Sequence, residues 1–324
     1  MRKKRLILGF FCLLAMGNLF GQQDKLLTHF MFDKMSLNPG ATGLGMPDGF
    51  CATTIYRNQW DKVNGAPNSA VLNVQGNLSR YFPGGVGLSF YHDAIGFTRQ
   101  NNVLLNYSYP IYMDAVGILG IGVGVGIQNM GMSPDWVPPT QTPDASLPVG
   151  FAATNLDANF GVYFKSDNNF YVGLSSTHVP ASVLESKEGD ITHNFNTARH
   201  YYVMGGFKVP SVGGSPGDLD INILGRSDLV KYSADINARY IWDDKAYGGL
   251  TFRTSDAIAV MFGAQPWKMI NPGTPWDNLT IGYSYDITIN KFSNISRGSH
   301  EILLKYCYYL PPVPIEKSKH VRWL

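Results

Sequence analysis

Apolar and aromatic residues recur at every second position through most of the chain, beginning with Phe50, Ala52 and Tyr56 and closing with Ile302, Leu304, Tyr306 and Tyr308. The same period runs through 70–74, 86–90, 103–109, 117–127, 156–164, 170–174, 201–209, 219–223, 232–240, 250–252, 258–262 and 279–287. Successive side chains of a strand point to opposite faces, so this period predicts about fourteen strands. The intervening positions include Asn73, Gln75, Asn106, Asp157, Asn159, Asp235, Asn237, Arg239, Arg253, Ser284 and Asp286. One face of the predicted sheet is therefore apolar and the other polar.

The longest apolar run, Ala115 to Ile127, is interrupted by Gly117, Gly120, Gly122, Gly124 and Gly126. Each Gly would cost a helix roughly 1 kcal/mol, whereas a strand with Gly at alternate positions simply gains one smooth face. The spacing also fails a dinucleotide fingerprint, which needs Gly at the first, third and sixth places: counted from Gly120 the sixth is Val125, and from Gly122 it is Ile127. Beyond the N-terminus no stretch reaches the eighteen apolar residues of a spanning helix. Rings gather near strand ends, at Tyr56, Trp60, Tyr81, Phe82, Tyr107, Tyr109, Tyr240, Trp242 and Tyr308, as in the aromatic girdles of outer-membrane barrels. These features predict an all-β chain, a transmembrane antiparallel up-and-down β-barrel of about 14 strands over residues 49–309. A pair of secreted β-sandwiches, whose strands also alternate, is the rival reading.

Composition sharpens this. Charged residues make up 15% of the 324 residues, aromatics 13%, and Gly numbers 35; an ordinary soluble domain carries roughly a quarter charged residues. A chain this poor in charge and rich in rings does not fit intrinsic disorder. The balance of 26 basic against 24 acidic residues supplies no phosphate-facing excess, so no nucleic-acid partner is expected. Arg2, Lys3, Lys4 and Arg5 precede an apolar stretch over 6–20 and then Gly21, Gln22 and Gln23, the layout of a secretory signal over 1–21 with cleavage between Gly21 and Gln22. A signal anchor is the alternative. Cleavage removes four cations and no carboxylate, leaving 22 basic against 24 acidic residues. Residues 22–48 then form an N-terminal periplasmic, plug-like segment, and 310–324 a periplasmic tail in which Lys317, Lys319 and Arg322 outnumber Glu316.

An even strand count puts both barrel termini on one side, expected to be periplasmic. Short links at Lys165–Asn169 and Asp243–Lys245 fall there, and the long links 129–150 and 178–197 fall outside. The link 266–277, with Trp267 and Trp276 between prolines, is long on the periplasmic side and reads either as a packed turn or as a partner contact.

Candidate chemistry is sparse. His178, His193 and His200 with Glu185, Glu188 and Asp190 match no compact ligand spacing and read as a solvated loop; no metal or other cofactor is expected. Ser299 and His300 are adjacent, and adjacent strand residues point to opposite faces, so they cannot form a nucleophile and base pair. Arg57, Arg239 and Arg253 with Asp235 and Asp286 read as an ionic ladder across the lumen. Together with Gln59 and Glu301 they are the candidate lumen and cargo contacts. Cys51 lies in the first strand and Cys307 in the last, which are neighbours in a closed barrel, on the same face. That leaves a sealing disulfide and two free thiols as alternatives.

The segment His29-Phe30-Met31-Phe32-Asp33-Lys34-Met35-Ser36-Leu37-Asn38-Pro39-Gly40-Ala41-Thr42-Gly43 resembles the "Y-M-F-N, then N-P-A-Y-A-G" opening of the PorP/SprF family. Tyr56-Arg57-Asn58-Gln59-Trp60 followed by Gly65-Ala66-Pro67 is similar to that family's first hairpin, and Gly282-Tyr283-Ser284-Tyr285-Asp286 and Gly298-Ser299-His300-Glu301-Ile302 to its closing strands. Asn38, Pro39, Tyr56, Trp60, Gly65, Pro67, Gly282, Tyr283, Tyr285 and His300 carry the match, while Gly40 and Thr42 depart from the usual Ala and Tyr. The resemblance implies a non-enzymatic outer-membrane barrel of Bacteroidetes type IX secretion. Its implied partners are outer-membrane lipid, other secretion components and a secreted, adhesin-like surface protein carrying a C-terminal sorting domain, with a link to gliding motility. Alternatives are a passive porin for small solutes and a barrel enzyme acting on lipid.

Overall fold

The computed structural model describes residues 25–135, 150–181, 183–188, 191–212, 216–254 and 256–311. The expected signal cleavage site at Gly21 and Gln22, and the tail from 312 onward, lie outside them. Sixteen strands occur among the described residues: β1 (Gly49–Asn58), β2 (Asn68–Asn77), β3 (Gly85–Ile95), β4 (Thr98–Met113), β5 (Gly117–Met132), β6 (Phe151–Ser166), β7 (Phe170–Thr177), β8 (Val183–Glu188), β9 (Ile191–Asn196), β10 (His200–Val209), β11 (Gly217–Ser227), β12 (Tyr232–Trp242), β13 (Ala246–Arg253), β14 (Ala257–Ala264), β15 (Leu279–Thr288) and β16 (Ser299–Tyr309). Fourteen of them, all but β8 and β9, close into one antiparallel barrel in which β1 pairs with both β2 and β16. Closure leaves no edge strand in the barrel, the condition for a β structure in lipid, although β6 over 151–159 and β4 over 109–113 extend past their β7 and β3 ladders. No described helix is long and apolar enough to cross a membrane.

The alternation decides which face meets what. In β16, Ile302 and Leu304 are 48% and 45% exposed while Leu303 between them is 0%. Large outward-facing side chains repeat this around the wall, among them Leu88, Leu105, Val125, Leu156, Leu174, Val203, Leu250 and Phe262. An apolar belt of that extent exceeds the patches a soluble monomer shows to water, and it is the surface a bilayer covers.

The inner face departs from the expected polar lumen. Ile55, Val71, Tyr91, Tyr202, Met204, Leu224, Met261 and Leu303 all point inward and are buried. They pack with Leu27, Phe30, Met31 and Leu37 of the N-terminal segment into a single core inside the barrel. Burying each of those four side chains stabilises the assembly by roughly 1.5–3 kcal/mol before the cost of ordering the segment. Alternation in sequence separates lipid-facing from inward positions; it does not reveal that inward positions have an apolar partner.

Residues 25–48 run down the lumen. At one end the backbone oxygen of Lys25 accepts a hydrogen bond from Arg226 (3.4 Å). At the other, the Met46 oxygen accepts from Asn77 (2.6 Å) and the Asp48 oxygen from the Leu310 amide (2.8 Å), just before β1 begins. We call the end that carries Gly49 and Tyr309 the terminal end and the opposite one the loop end. Tight links such as 114–116, 167–169 and 243–245 lie at the terminal end, whereas β5 ends at Met132 and β6 begins at Phe151 at the loop end, as do Thr177 and His200, the strand residues that flank 178–199. That last link is more than a loop: β8 and β9 pair as a separate hairpin within it. Charged and polar residues at alternating positions of both strands, such as Glu185, Lys187 and Asn194, hide its period from a hydrophobicity count.

The long terminal-end link folds into a short helix, α1 (Pro266–Ile270), and a 3-10 turn (Pro275–Asn278). It turns outward: Trp276 packs on Tyr306 of the lipid-facing wall with ring centroids 5.5 Å apart, and the Tyr306 hydroxyl donates to the Pro275 oxygen (3.1 Å). Ser299 and His300 are separated by the wall. The Ser299 hydroxyl accepts from the Trp60 amide (3.1 Å), while the His300 ring meets the Tyr283 hydroxyl outside (2.7 Å).

Candidate functional site

The strongest concentration of chemistry lies where the N-terminal segment meets the wall near the loop end. Antiparallel register sets Arg57 of β1 opposite Glu301 of β16, and Asp235 of β12 opposite Arg253 of β13. Arg57 reaches Asp286 (Nη2 to Oδ2, 2.7 Å) and Glu301 (Nη1 to Oε2, 3.2 Å). Arg253 reaches Asp235 (3.2 Å), Asp286 (3.1 Å) and Asp256 (3.3 Å). Arg226 of β11 adds a further contact to Asp235.

The segment completes this cluster. The amides of Thr28 and His29 donate to the two Glu301 oxygens (2.9 and 2.7 Å), and His29 Nδ1 lies 2.7 Å from Oε1. The Thr28 hydroxyl donates to Asp286 (3.0 Å) and accepts from Arg57 (3.1 Å) and Arg253 (3.3 Å). Thr28, His29, Arg57, Asp235, Arg253, Asp286 and Glu301 are all buried. Buried charges are tolerated when paired and hydrogen-bonded, and here the partners come from both the wall and the segment, with Arg57 Nε and His29 Nε2 left without one among the described residues. The arrangement is a latch, with its carboxylates committed to holding the chain in place.

A second anchor accounts for Gly120 and Gly122 of β5. The Asn38 amide donates to the backbone oxygens of Val162 (3.0 Å) and Leu174 (3.2 Å), and its carbonyl accepts from Gly40 (2.9 Å). The Ser108 hydroxyl donates to the Gly40 oxygen (2.8 Å). A Cβ at Gly122 would collide with the backbone of Pro39 and Gly40, and one at Gly161 with the Asn38 side chain. The smooth face of the Gly-rich strand is thus a seat against which the segment's backbone lies. Further along, Lys34 sits over the Tyr171 ring (3.4 Å to its centroid) and donates to the Tyr163 hydroxyl (3.1 Å); burial pulls its ammonium down to about 7.

Across residues 19–306 the chain matches the family described as type IX secretion system membrane protein PorP/SprF. It belongs to the PorP/SprF family. The barrel is also similar to solved structures. The toluene transporter TbuX of Ralstonia pickettii is 11% identical with a TM-score of 0.51, and the CymD monoaromatic hydrocarbon channel is 10% identical with a TM-score of 0.52. Each likeness covers 86% of this chain and 93% of the other, and at such identities it shows the fold alone. No curated protein matches. This PorP/SprF protein is therefore an outer-membrane β-barrel of the type IX secretion system.

The residues singled out by sequence divide into groups. Arg57, Arg253, Asp235, Asp286 and Glu301 come together, but as the latch. Arg239 stands apart toward the terminal end, paired with Asp220 (2.6 Å) beneath Phe32, whose ring centroid lies 4.5 Å from the guanidinium carbon. The expected single ladder is thus two clusters, because Arg239 is four residues along β12 from Asp235 and faces a different depth of the lumen. Gln59 is buried beside the loop-end cavity, its backbone N–H donating to the Pro67 oxygen (2.9 Å).

Among the motif residues of this PorP/SprF chain, Asn38 and Pro39 seat the segment. A side chain at Gly282 would press on Tyr247 and His29. Trp60 stacks on Phe292 (4.5 Å between centroids) and, with Gly65 and Pro67, shapes the first loop-end link. Tyr56 faces outward, and Tyr283, Tyr285 and His300 form an aromatic patch on the outer wall. Cys51 and Cys307 face each other in register and are joined by a disulfide on the inner side. Sequence reasoning missed Thr28, His29, Asp220, Arg226 and Asp256. Parity alone puts Asp220 and Arg226 on the inner face of β11, opposite Leu219, Ile221 and Ile223.

Among the described residues no group of three His, Cys, Asp or Glu side chains is placed to hold a metal. His178 lies 2.9 Å from Asp157 and edge-on to His200. The side chains of Glu185, Glu188 and His193, and residue Asp190, lie outside the described set.

Proposed function

We propose that this protein is a plugged, non-enzymatic platform that assists export or surface attachment of a secreted, adhesin-like protein through that protein's C-terminal domain, and that in motile cells it is linked to gliding. Residues 1–21 are removed as the signal, and the terminal end faces the periplasm, where residues 310–324 emerge. The observation that carries this reading is the occupied lumen. A porin presents free charged groups along an open path, whereas here Arg57, Arg253, Asp235, Asp286 and Glu301 are bound by one another and by Thr28 and His29. Cargo and machinery then meet the protein at its two mouths. The loop-end mouth has a cavity of about 470 Å³ lined by Leu26, Gln59, Trp60, Arg226, Tyr232 and Phe292 among others.

The test is deletion of the gene followed by quantitative proteomics of the cell surface. At least one surface protein with a C-terminal sorting domain is expected to fall by tenfold or more and to return when the intact gene is restored. An unchanged surface proteome overturns the reading.

A further inference from the structure

Below the segment, at the terminal end, the lumen opens into a second cavity of about 420 Å³. Its lining includes Lys34, Lys165, Lys208, Arg239 and Lys305 and, among the described residues, a single carboxylate, Asp220. Asp220 is paired with Arg239 (2.6 Å), and Lys208 pairs with Asp218 at the rim (2.6 Å). Among the described residues none of the other three lysines forms an ion pair with a carboxylate, although Asp220 acts on Lys34 from a distance and burial holds Lys34 only partly charged near neutral pH. Lys34 donates to the Tyr163 hydroxyl and Lys165 to the Gly45 oxygen (3.0 Å), both neutral acceptors, and Lys305 lies 5.9 Å from the Phe32 ring centroid. Asp33 lies outside the lining and is engaged by Ser36 and Asn73. A concave site lined by one sign of charge focuses its field and draws counter-charge into it.

We propose that this cavity binds an acidic peptide segment of another protein, entering from the terminal end. The charges sit around an apolar floor formed by Met31, Phe32, Leu44 and Ile241. Such a lining matches a chain that alternates carboxylates with apolar side chains, and its volume lies within the range of about 300–1,000 Å³ usual for ligand sites. Long, flexible lysines suit carboxylates spaced along a chain; a lone phosphate would leave the apolar floor unused. The protein's own tail is excluded by sign, since Lys317, Lys319 and Arg322 outnumber Glu316. That the bound segment is periplasmic rests on the orientation proposed above; the binding itself does not.

The test uses the intact protein in detergent and a fluorescein-labelled hexapeptide alternating Glu and Leu. Saturable binding is expected, at least tenfold tighter than for the same peptide with Gln in place of Glu. Lys165→Gln with Lys305→Gln should weaken it at least tenfold, while Lys231→Gln at the other mouth leaves it unchanged. Both variants must keep the wild-type heat-dependent gel mobility; should the double variant lose it, Lys165→Gln alone is used, with at least a threefold loss expected. Equal binding of the Glu and Gln peptides, no binding, or displacement by inorganic phosphate at concentrations equal to the peptide's overturns the proposal. These outcomes are independent of the surface proteome, so failure here and failure of the secretion role are told apart.

Discussion

Arg57→Met is expected to destabilise the protein by about 3–5 kcal/mol, the usual cost of stripping one partner from a buried ion pair. Arg57 touches both Asp286 and Glu301, and all three side chains are buried, so the substitution leaves carboxylate charge short of compensation where water does not reach it. The Thr28 hydroxyl loses one of its two guanidinium donors at the same time. Urea unfolding of the protein in lipid vesicles measures the effect. Combining Arg57→Met with Glu301→Gln should recover part of the loss, because a buried pair replaced as a whole costs far less than one broken in half. A coupling of at least about 1 kcal/mol in that double-mutant cycle is expected. A single-variant loss below about 1 kcal/mol would mean that the latch does not hold the fold.

Gly122→Leu is expected to unseat the N-terminal segment while leaving the wall closed. The side chain would occupy the space of the Pro39 and Gly40 backbone, which is fixed by Asn38 and by Ser108 and has no room to give. Neighbouring ladders do not depend on this residue's side chain, so the barrel persists. Hydrogen exchange followed by mass spectrometry should show residues 34–44 passing from slow to fast by at least a hundredfold, with exchange in the strands unchanged. Gly248→Leu is the control, since a Cβ at Gly248 meets nothing within 4 Å. If exchange over 34–44 is as slow in Gly122→Leu as in the parent chain, the seat is not the close-packed contact described.

Much of the wall was legible in the sequence because lipid enforces a strict period. Each of the fourteen barrel strands contains a run of alternating apolar residues, and β16 shows why the signal is clean: Ile302 and Leu304 must be apolar to face lipid. Strand lengths were less legible. β13 begins at Ala246, well before Leu250, because Ala246 and Gly248 carry no bulky outward side chain to mark it. The inner face was misread as wholly polar: Leu303, Val71 and Leu224 obey the same alternation but face a partner rather than solvent. That partner is irregular, with two 3-10 turns and no period, so nothing local marks Thr28 or His29 as the residues that meet Glu301. The candidate charges were found by parity, yet their pairing depends on register between strands far apart in the chain. Arg57 and Asp286 are 229 residues apart.

The glycines illustrate the same division. Alternating Gly in β5 predicted a strand with one smooth face, and Asn38-Pro39-Gly40 resembled a family opening, but only the folded chain joins the two as seat and occupant. Family motifs on the outer wall and in the loop-end link meet one another instead, His300 the Tyr283 hydroxyl and the Trp60 amide the Ser299 hydroxyl.

Residues 25–48 run down the lumen, and the proposed function rests on their closing it. Single-channel recording of the intact mature protein in planar bilayers tests it most directly. The predicted result is no steady opening across the voltage range the bilayer tolerates. Large, stable, ohmic currents from the unmodified protein would contradict it.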